Sequence, residues 1–393
     1  MMKLLNIGLA AIALCAPAAH AEVKVAEGLK AVEVFTPKKD GHPHFRIPAI
    51  VTSQKGTLLV FAEGRVRTHD HARNDIVLKR SEDNGETWSD VIVVDEDKDL
   101  VMVNPSPLVL ESGRILVFYE TFPHGYHGRK EHDIKMMSTG YEQGLTQRFL
   151  VRSSDDDGKT WSKPLDLTRV ARADSSDIRN LITAGSPANA IQLTRGRYKG
   201  RIVVPLFLVK RITESKREIY NGVLYSDDNC RTWKRSRIVP IEGTNHCNEA
   251  LIAELDDGSV MMNARPGRTP LRAVSVSRDG GQTWSPFVYD QALKGRNCNC
   301  GLLKYSYADE GKSRLFFSHN FHNKKRANGH LKLSYDNGKT WPVSKQVVPG
   351  WFGYSQLTKM KDGSIGMIFE PFQSPKEPWT LQFVRIPLEW IEG

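Results

Sequence analysis

The chain has 393 residues, a quarter of them charged, and a formal charge of +10 at pH 7. Its Lys and Arg residues are scattered, with no stripe of interleaved basic and aromatic residues, which argues against a nucleic-acid partner and favours an anionic substrate or an acidic surface glycan. Past the first 21 residues no segment approaches the roughly 18 apolar residues of a membrane span, so no span is expected.

The N-terminus carries Lys3, an apolar run over residues 7–15, and Ala19-His20-Ala21 as a small-x-small cleavage site. This predicts a secretion signal over residues 1–21 and an exported protein, secreted or periplasmic. Leu14 stands before Cys15 where a lipoprotein site needs a small residue, so a lipid anchor is not expected. The remaining 372 residues (393 minus 21) contain no linker or charge block, and residues 22–393 are expected to form one domain. Four cysteines remain, Cys230, Cys247, Cys298 and Cys300, and they allow three disulfide pairings. Cys298-Asn299-Cys300 lacks a second Cys or His pair at zinc-site spacing, so no metal is expected there.

A strand over 33–37 leads through a loop to Phe45-Arg46-Ile47-Pro48, where an Arg between apolar neighbours needs an ion pair or a bound anion. Residues 58–63 alternate like a strand that ends at Arg65, and a polar loop follows over 68–74. Asp75 opens a further strand, which runs into Ser81-Glu82-Asp83-Asn84-Gly85-Glu86-Thr87-Trp88. The pattern Ser-x-Asp-x-Gly-x-Thr-Trp returns at 154–161, 277–284 and 334–341, and imperfectly at 226–233 with Cys230 in the glycine place. Ser and Asp can bond nearby amides, Gly supplies a positive φ, and Thr-Trp re-enters a strand with a large ring to bury. Successive starts lie 73, 72, 51 and 57 residues apart, close to the 62 obtained by dividing 372 by six. The expected fold is therefore all-β, a six-bladed β-propeller of four-stranded antiparallel blades with one blade lacking a box. A turn that repeats around a fold is structural rather than an active site. A calcium loop starting at Ser153 is excluded because its twelfth position, which needs Glu, is Pro164.

Phe45-Arg46-Ile47-Pro48 followed by these boxes resembles the Asp-box sialidases (neuraminidases), retaining exo-glycosidases that remove terminal sialic acid. The resemblance covers roughly residues 45–370. It implies that Arg65, in Ala62-Glu63-Gly64-Arg65, approaches the substrate carboxylate and a ring hydroxyl, and that Asp70 is the general acid/base, with Asp75 its structural rival. Asn104, before Pro105, resembles a substrate-adjacent turn. Gly185-Ser186-Pro187-Ala188 stands where many members have a Gly-Pro-Gly rim loop. Glu249 would partner the nucleophile, with Glu254 as the structural alternative. Arg46, Arg265 and Arg326 would bind the substrate carboxylate, with Lys324 and Lys325 beside the last. Tyr354 matches the nucleophile, and Glu370 the residue that holds Arg46.

The chemistry accounts for these residue types. Sialic acid bears its carboxylate on the anomeric carbon, so permanently charged, fork-shaped guanidiniums suit the site and a carboxylate nucleophile would be repelled; sialidases use Tyr instead. Glu249 would take the phenol proton, while Asp70 would protonate the leaving oxygen and later deprotonate water, which calls for partial desolvation of Asp70. No metal or cofactor is implied. The expected partners are sialylated glycans on proteins, lipids or oligosaccharides. Two other readings are a non-catalytic carbohydrate-binding propeller and a protein-binding assembly factor that uses only the boxes. The ordered acid, base and Tyr argue against the first and the Arg set against the second.

Overall fold

The structure, a computed structural model, describes residues 23–70, 72–124, 147–172, 181–211, 217–240, 247–265, 267, 269–295, 297–322, 324–371 and 378–393. The expected signal, with Cys15, and His71 lie outside the described residues.

Six antiparallel sheets follow one another as the blades of a propeller. Blade 1 is His44–Thr52, Leu58–Arg65, Asn74–Ser81 and Ile92–Asp95. Blade 2 is Leu100–Val109, Ile115–Pro123, Arg148–Ser154 and Leu165–Asp166. Blade 4 runs from Ala250–Glu254 through Val260–Ala264 and Leu271–Ser277 to Val288–Lys294, and blade 5 from Gly301–Ser306 through Arg314–Asn320 and Ala327–Ser334 to Val343–Trp351. Blade 3 departs from the four-strand rule. Its first strand is broken into Leu181–Gly185 and Ile191–Gln192, both paired with Ile202–Arg211, before Arg217–Ser226 and Lys234–Arg235 complete the sheet.

Blade 6 is made from both ends of the chain. Ser355–Lys359, Ile365–Phe369 and Leu381–Ile386 are followed in the sheet by the N-terminal strand Ala31–Phe35, which pairs with Leu381–Ile386 and closes the ring. The five boxes each join the third and fourth strands of blades 1 to 5. Blade 6 has no box because its fourth strand comes from the other end of the chain, so no third-to-fourth turn exists there.

The boxes share one hydrogen-bond pattern. In the first, Ser81 Oγ donates to Asp83 Oδ1 (2.8 Å) and accepts the Gly85 N–H (2.8 Å), while Asp83 takes the Thr87 N–H (3.0 Å) and hydroxyl. Two consecutive residues lie in the left-handed region, Asn84 at φ 60° and Gly85 at φ 89°. A Cβ on Gly85 would also run into the Phe383 ring of blade 6, so both backbone and space demand glycine. In blade 3 Cys230 holds the same seat at φ 70°.

The core consists of six apolar layers, one between each pair of neighbouring blades. Each box Trp enters the layer shared with the preceding blade: Trp161 packs edge-on against Phe61 and Trp233 against Phe118. Trp233, Trp284 and Trp341 are buried, whereas Trp88 and Trp161 are only half-buried, less than the box pattern predicts. In the layer between blades 5 and 6, Trp390 of the short terminal helix Leu388–Glu392 supplies the ring that no box provides.

Candidate active site

The candidate residues gather at one end of the inner strands, and the sequence explains how those strands are shaped there. Blades 1 and 2 each carry a bulge in the first strand, at Arg46–Ala49 and at Val103–Ser106. Each bulge contains a residue of positive φ followed by proline: Ile47 (φ 53°) before Pro48, and Asn104 (φ 58°) before Pro105. Proline cannot donate to the ladder, and the bulge re-aims the neighbouring side chains. A β-branched residue at positive φ is strained, and the Ile47 N–H is held by a bond to Glu370 Oε1 at 3.1 Å.

Arg46 is buried and bound by Glu370 through Nε–Oε1 (2.9 Å) and Nη2–Oε2 (3.4 Å). Its Nη1 reaches Asp70 Oδ1 at 3.1 Å, and its guanidinium carbon lies 5.3 Å from the centre of the Trp379 ring. Burial alone would raise the Glu370 carboxyl, but Arg46 and Arg326 together outweigh it and hold it below the ordinary range. Arg65, fully buried, donates from Nε to Glu63 Oε2 (2.7 Å) and from Nη1 to Asp70 Oδ1 (2.9 Å). Asp70 therefore faces two guanidiniums and, with half of its side chain exposed, solvent.

Tyr354 is the centre of the cluster. Its hydroxyl donates to Glu249 Oε1 (2.7 Å) and accepts from Arg265 Nη1 (2.6 Å), while the same Nη1 also reaches Glu249 Oε2 (2.6 Å). The guanidinium carbons of Arg326, Arg46 and Arg265 lie 5.1, 5.3 and 5.8 Å from the Tyr354 ring centre. Three arginines from blades 1 and 4 and the third strand's entry in blade 5 thus surround one ring, although 219 and 61 residues separate them along the chain. Burial pushes the phenol pKa up, with Glu249 adding to the rise, and the three guanidiniums only partly oppose it. The resting phenol is neutral and already shares its proton with Glu249.

The alternatives fall elsewhere. Glu254 accepts from the Thr194 N–H and hydroxyl (2.8 and 2.7 Å) at the far end of its strand. Asp75 is buried against His42 (2.7 Å). Lys324 and Lys325 are exposed, their N–H groups bonded to His322 Nδ1, while Arg326 is half-buried over Tyr354. Gly185-Ser186-Pro187-Ala188 is not a rim loop. It is the buried break in the inner strand of blade 3, where the Ser186 hydroxyl accepts the Ala250 N–H (2.9 Å) and the Pro187 carbonyl accepts Gln356 (3.0 Å) and Asn299. The four described cysteines are all unpaired. Cys298 packs against Ile47 and Tyr354, and burial pushes its thiol up to about 12.

Several positioning residues carry no motif. Glu63 accepts Arg65 and the Asn104 N–H (2.9 Å), which ties blade 1 to blade 2. Asn297 accepts Arg265 Nε on its side-chain oxygen and Arg326 Nη2 on its carbonyl (3.2 Å), so one residue spaces two arginines. Alternation in residues 58–63 points Glu63 inward with the apolar side chains, a signal that was readable; nothing in the sequence marks Asn297. A cavity of about 360 Å³ lies at the opposite end of the inner strands, lined by Thr52, Gln54, Gln192 and Glu254 among others, and none of the residues around Tyr354 lines it.

A ring of six blades, repeated Ser-Asp-Gly-Thr-Trp turns and an arginine-ringed Tyr–Glu pair together define a class of propeller. The family model described as a BNR repeat-like domain matches residues 56–367, and the chain belongs to that family. Among known proteins it is similar to a sialidase of Micromonospora viridifaciens (30% identity, 90% of this chain, 53% of that protein) and one of Bacteroides fragilis (29%, 88% and 63%). The chain thus spans between half and two thirds of the length of these relatives. Its structure resembles the Hadza microbial sialidase Hz136 (TM-score 0.79, 27% identity, 92% of this chain and 69% of that one). In fold it also resembles a leech intramolecular trans-sialidase complexed with 2,7-anhydro-Neu5Ac (TM-score 0.77, 20% identity, 92% of this chain and 70% of that one).

Proposed function

We propose that this chain is a retaining exo-α-sialidase that releases terminal sialic acids from glycoconjugates through a tyrosyl-enzyme intermediate on Tyr354. The observation that carries the reading is the Tyr354 phenol held between Glu249 and Arg265, with Arg46 and Arg326 on the same ring. The arginines take the substrate carboxylate, which seats the anomeric carbon beside the phenol oxygen.

In the first half-reaction the phenol oxygen attacks the anomeric carbon as its proton passes to Glu249. The bond to the aglycone breaks, and Asp70 supplies the proton that the departing oxygen needs. In the second half a water attacks the same carbon and gives its proton to Asp70; the bond to Tyr354 breaks, and Glu249 returns the proton to the phenol. Because Arg46 and Arg65 hold Asp70 in the free site, the arriving substrate carboxylate competes for Arg46 and loosens Asp70 for its work as an acid. The leader pattern at residues 1–21 supports export, where sialylated glycans are met.

Purified protein with an aryl sialoside tests this, with the first-formed sugar read by proton NMR. Release of the α-anomer is expected. Initial release of the β-anomer, or glycan binding without turnover, would overturn the reading.

A further inference from the structure

Behind Asn104 lies a carboxyl group that this mechanism does not use. Glu120, near the end of Ile115–Pro123, is buried; Asn104 Nδ2 donates to its Oε1 and Gln147 Nε2 to its Oε2, both at 2.6 Å. Asn104 is also fixed by its backbone, through the N–H bond to Glu63, the partner of Arg65. Arg172 braces the other side by donating to the Gln147 carbonyl (2.6 Å). An Asn amide has two edges of opposite hydrogen-bonding sense, and the network decides which way it turns. Here the donor edge is spoken for by Glu120, and Asn104 Oδ1 has no donor among the described residues.

We propose that Glu120 is a positioning residue that sets specificity: by holding the Asn104 amide nitrogen it turns Oδ1 toward the bound sugar, so the subsite beside Arg65 requires a hydrogen-bond donor on that edge of the ring. The proposal rests on the sialidase reading for its substrate but not for its geometry. Its chemistry is that of a free hydroxyl or amide N–H, and a sugar lacking that donor leaves Oδ1 desolvated and unpaired. Gln147 Oε1 is buried without a partner, so a Gln at position 120 can keep its oxygen on Asn104 while its amide N–H meets a rotated Gln147.

The test is a panel of aryl sialosides from which the C-4 hydroxyl and the C-5 amide N–H are removed one at a time. Wild type is expected to disfavour one of these analogues about tenfold in kcat/KM, about 1.4 kcal/mol. Asn104→Ala and Glu120→Leu should reduce that preference to within about twofold, their double variant should lose no more, and Glu120→Gln should retain it. Wild-type preference surviving in Asn104→Ala or Glu120→Leu, or lost in Glu120→Gln, overturns the assignment. Should Glu120→Leu not fold, Asn104→Ala and Glu120→Gln still decide. If wild type turns over no sialoside, the functional reading fails by itself, and a crystal structure of Glu120→Leu decides this one: a rotated Asn104 amide supports it and an unmoved one sinks it.

Discussion

Glu370 and Arg46, 324 residues apart, form a buried pair in which one carboxylate also accepts the backbone N–H groups of Ile47 (3.1 Å) and Tyr354 (3.2 Å). One side chain therefore positions an arginine of the cluster, a strained bulge and the backbone of the proposed nucleophile. Glu370→Ala should cost about 3–5 kcal/mol of stability, the range for leaving a buried charge unpaired. Chemical denaturation measures it; a loss under about 1 kcal/mol would show that Arg46 finds another partner.

The arginines should not be interchangeable with their neighbours. Arg326→Ala should lower kcat/KM by about 2–5 kcal/mol, tens- to thousands-fold, while Lys324→Ala and Lys325→Ala leave it nearly unchanged. Asn297→Ala should fall between them, at about 1–3 kcal/mol, because it frees Arg265 Nε while the backbone carbonyl that holds Arg326 stays. The reverse order between Arg326 and the lysines in steady-state kinetics would reassign the third arginine.

Asp70 and Tyr354 should separate by leaving group. Asp70→Ala should lose much more rate on a natural sialoside than on one with an activated phenol, whose departure needs little protonation. Tyr354→Phe should be equally defective on both. A fluorinated sialosyl donor should label the peptide that carries Tyr354, and label on Asp70 or Glu249 by mass spectrometry would refute these roles.

The boxes should matter for stability alone. Trp341 is buried against Phe317, and Trp341→Ala should cost about 3–5 kcal/mol with activity per folded molecule unchanged. Normal melting with lost turnover would place the box in the site.

Burial pushes the Glu120 carboxyl up to about 8 from an ordinary 4.5, against the opposing bonds from Asn104 and Gln147, and Glu63 adds to the rise. Between those values the folded chain keeps a proton that the unfolded chain releases, so this group makes stability fall as pH rises, by up to about 1.4 kcal/mol per pH unit. Glu120→Gln has no such proton. It should gain on wild type from pH 5 to pH 8, and urea midpoints that stay parallel across that window would rule the linkage out.

The boxes were legible because one local turn repeats with its hydrogen bonds inside eight residues. The missing sixth box was legible as a number but not as a cause, since strand order across the two termini leaves no trace in local pattern. Arg46, Arg65, Asp70, Glu249, Arg265, Arg326, Tyr354 and Glu370 could be named from motifs, and the fold brings them to one cleft. Asn297 and Glu120 could not, because each acts through a partner from another strand or loop, and the inward Glu63 was readable only without its bond to Asn104 in the next blade. Gly185-Ser186-Pro187-Ala188 was misread for a related reason: a Ser-Pro break looks the same on a rim as at the centre of a ring. The setting of Asp70 depends on two arginines reached only by folding.

Ring closure by Ala31–Phe35 also bears on synthesis. A chain emerging at about 5–20 residues per second exposes Arg46 about 16–65 s before Glu370 exists. During that interval the first blade cannot seal against the sixth, the strained Ile47 turn has no carboxylate to hold it, and the arginine cluster is incomplete. The cleft is therefore assembled only once synthesis has passed Glu370, and until then the nascent chain stays in an unsealed state.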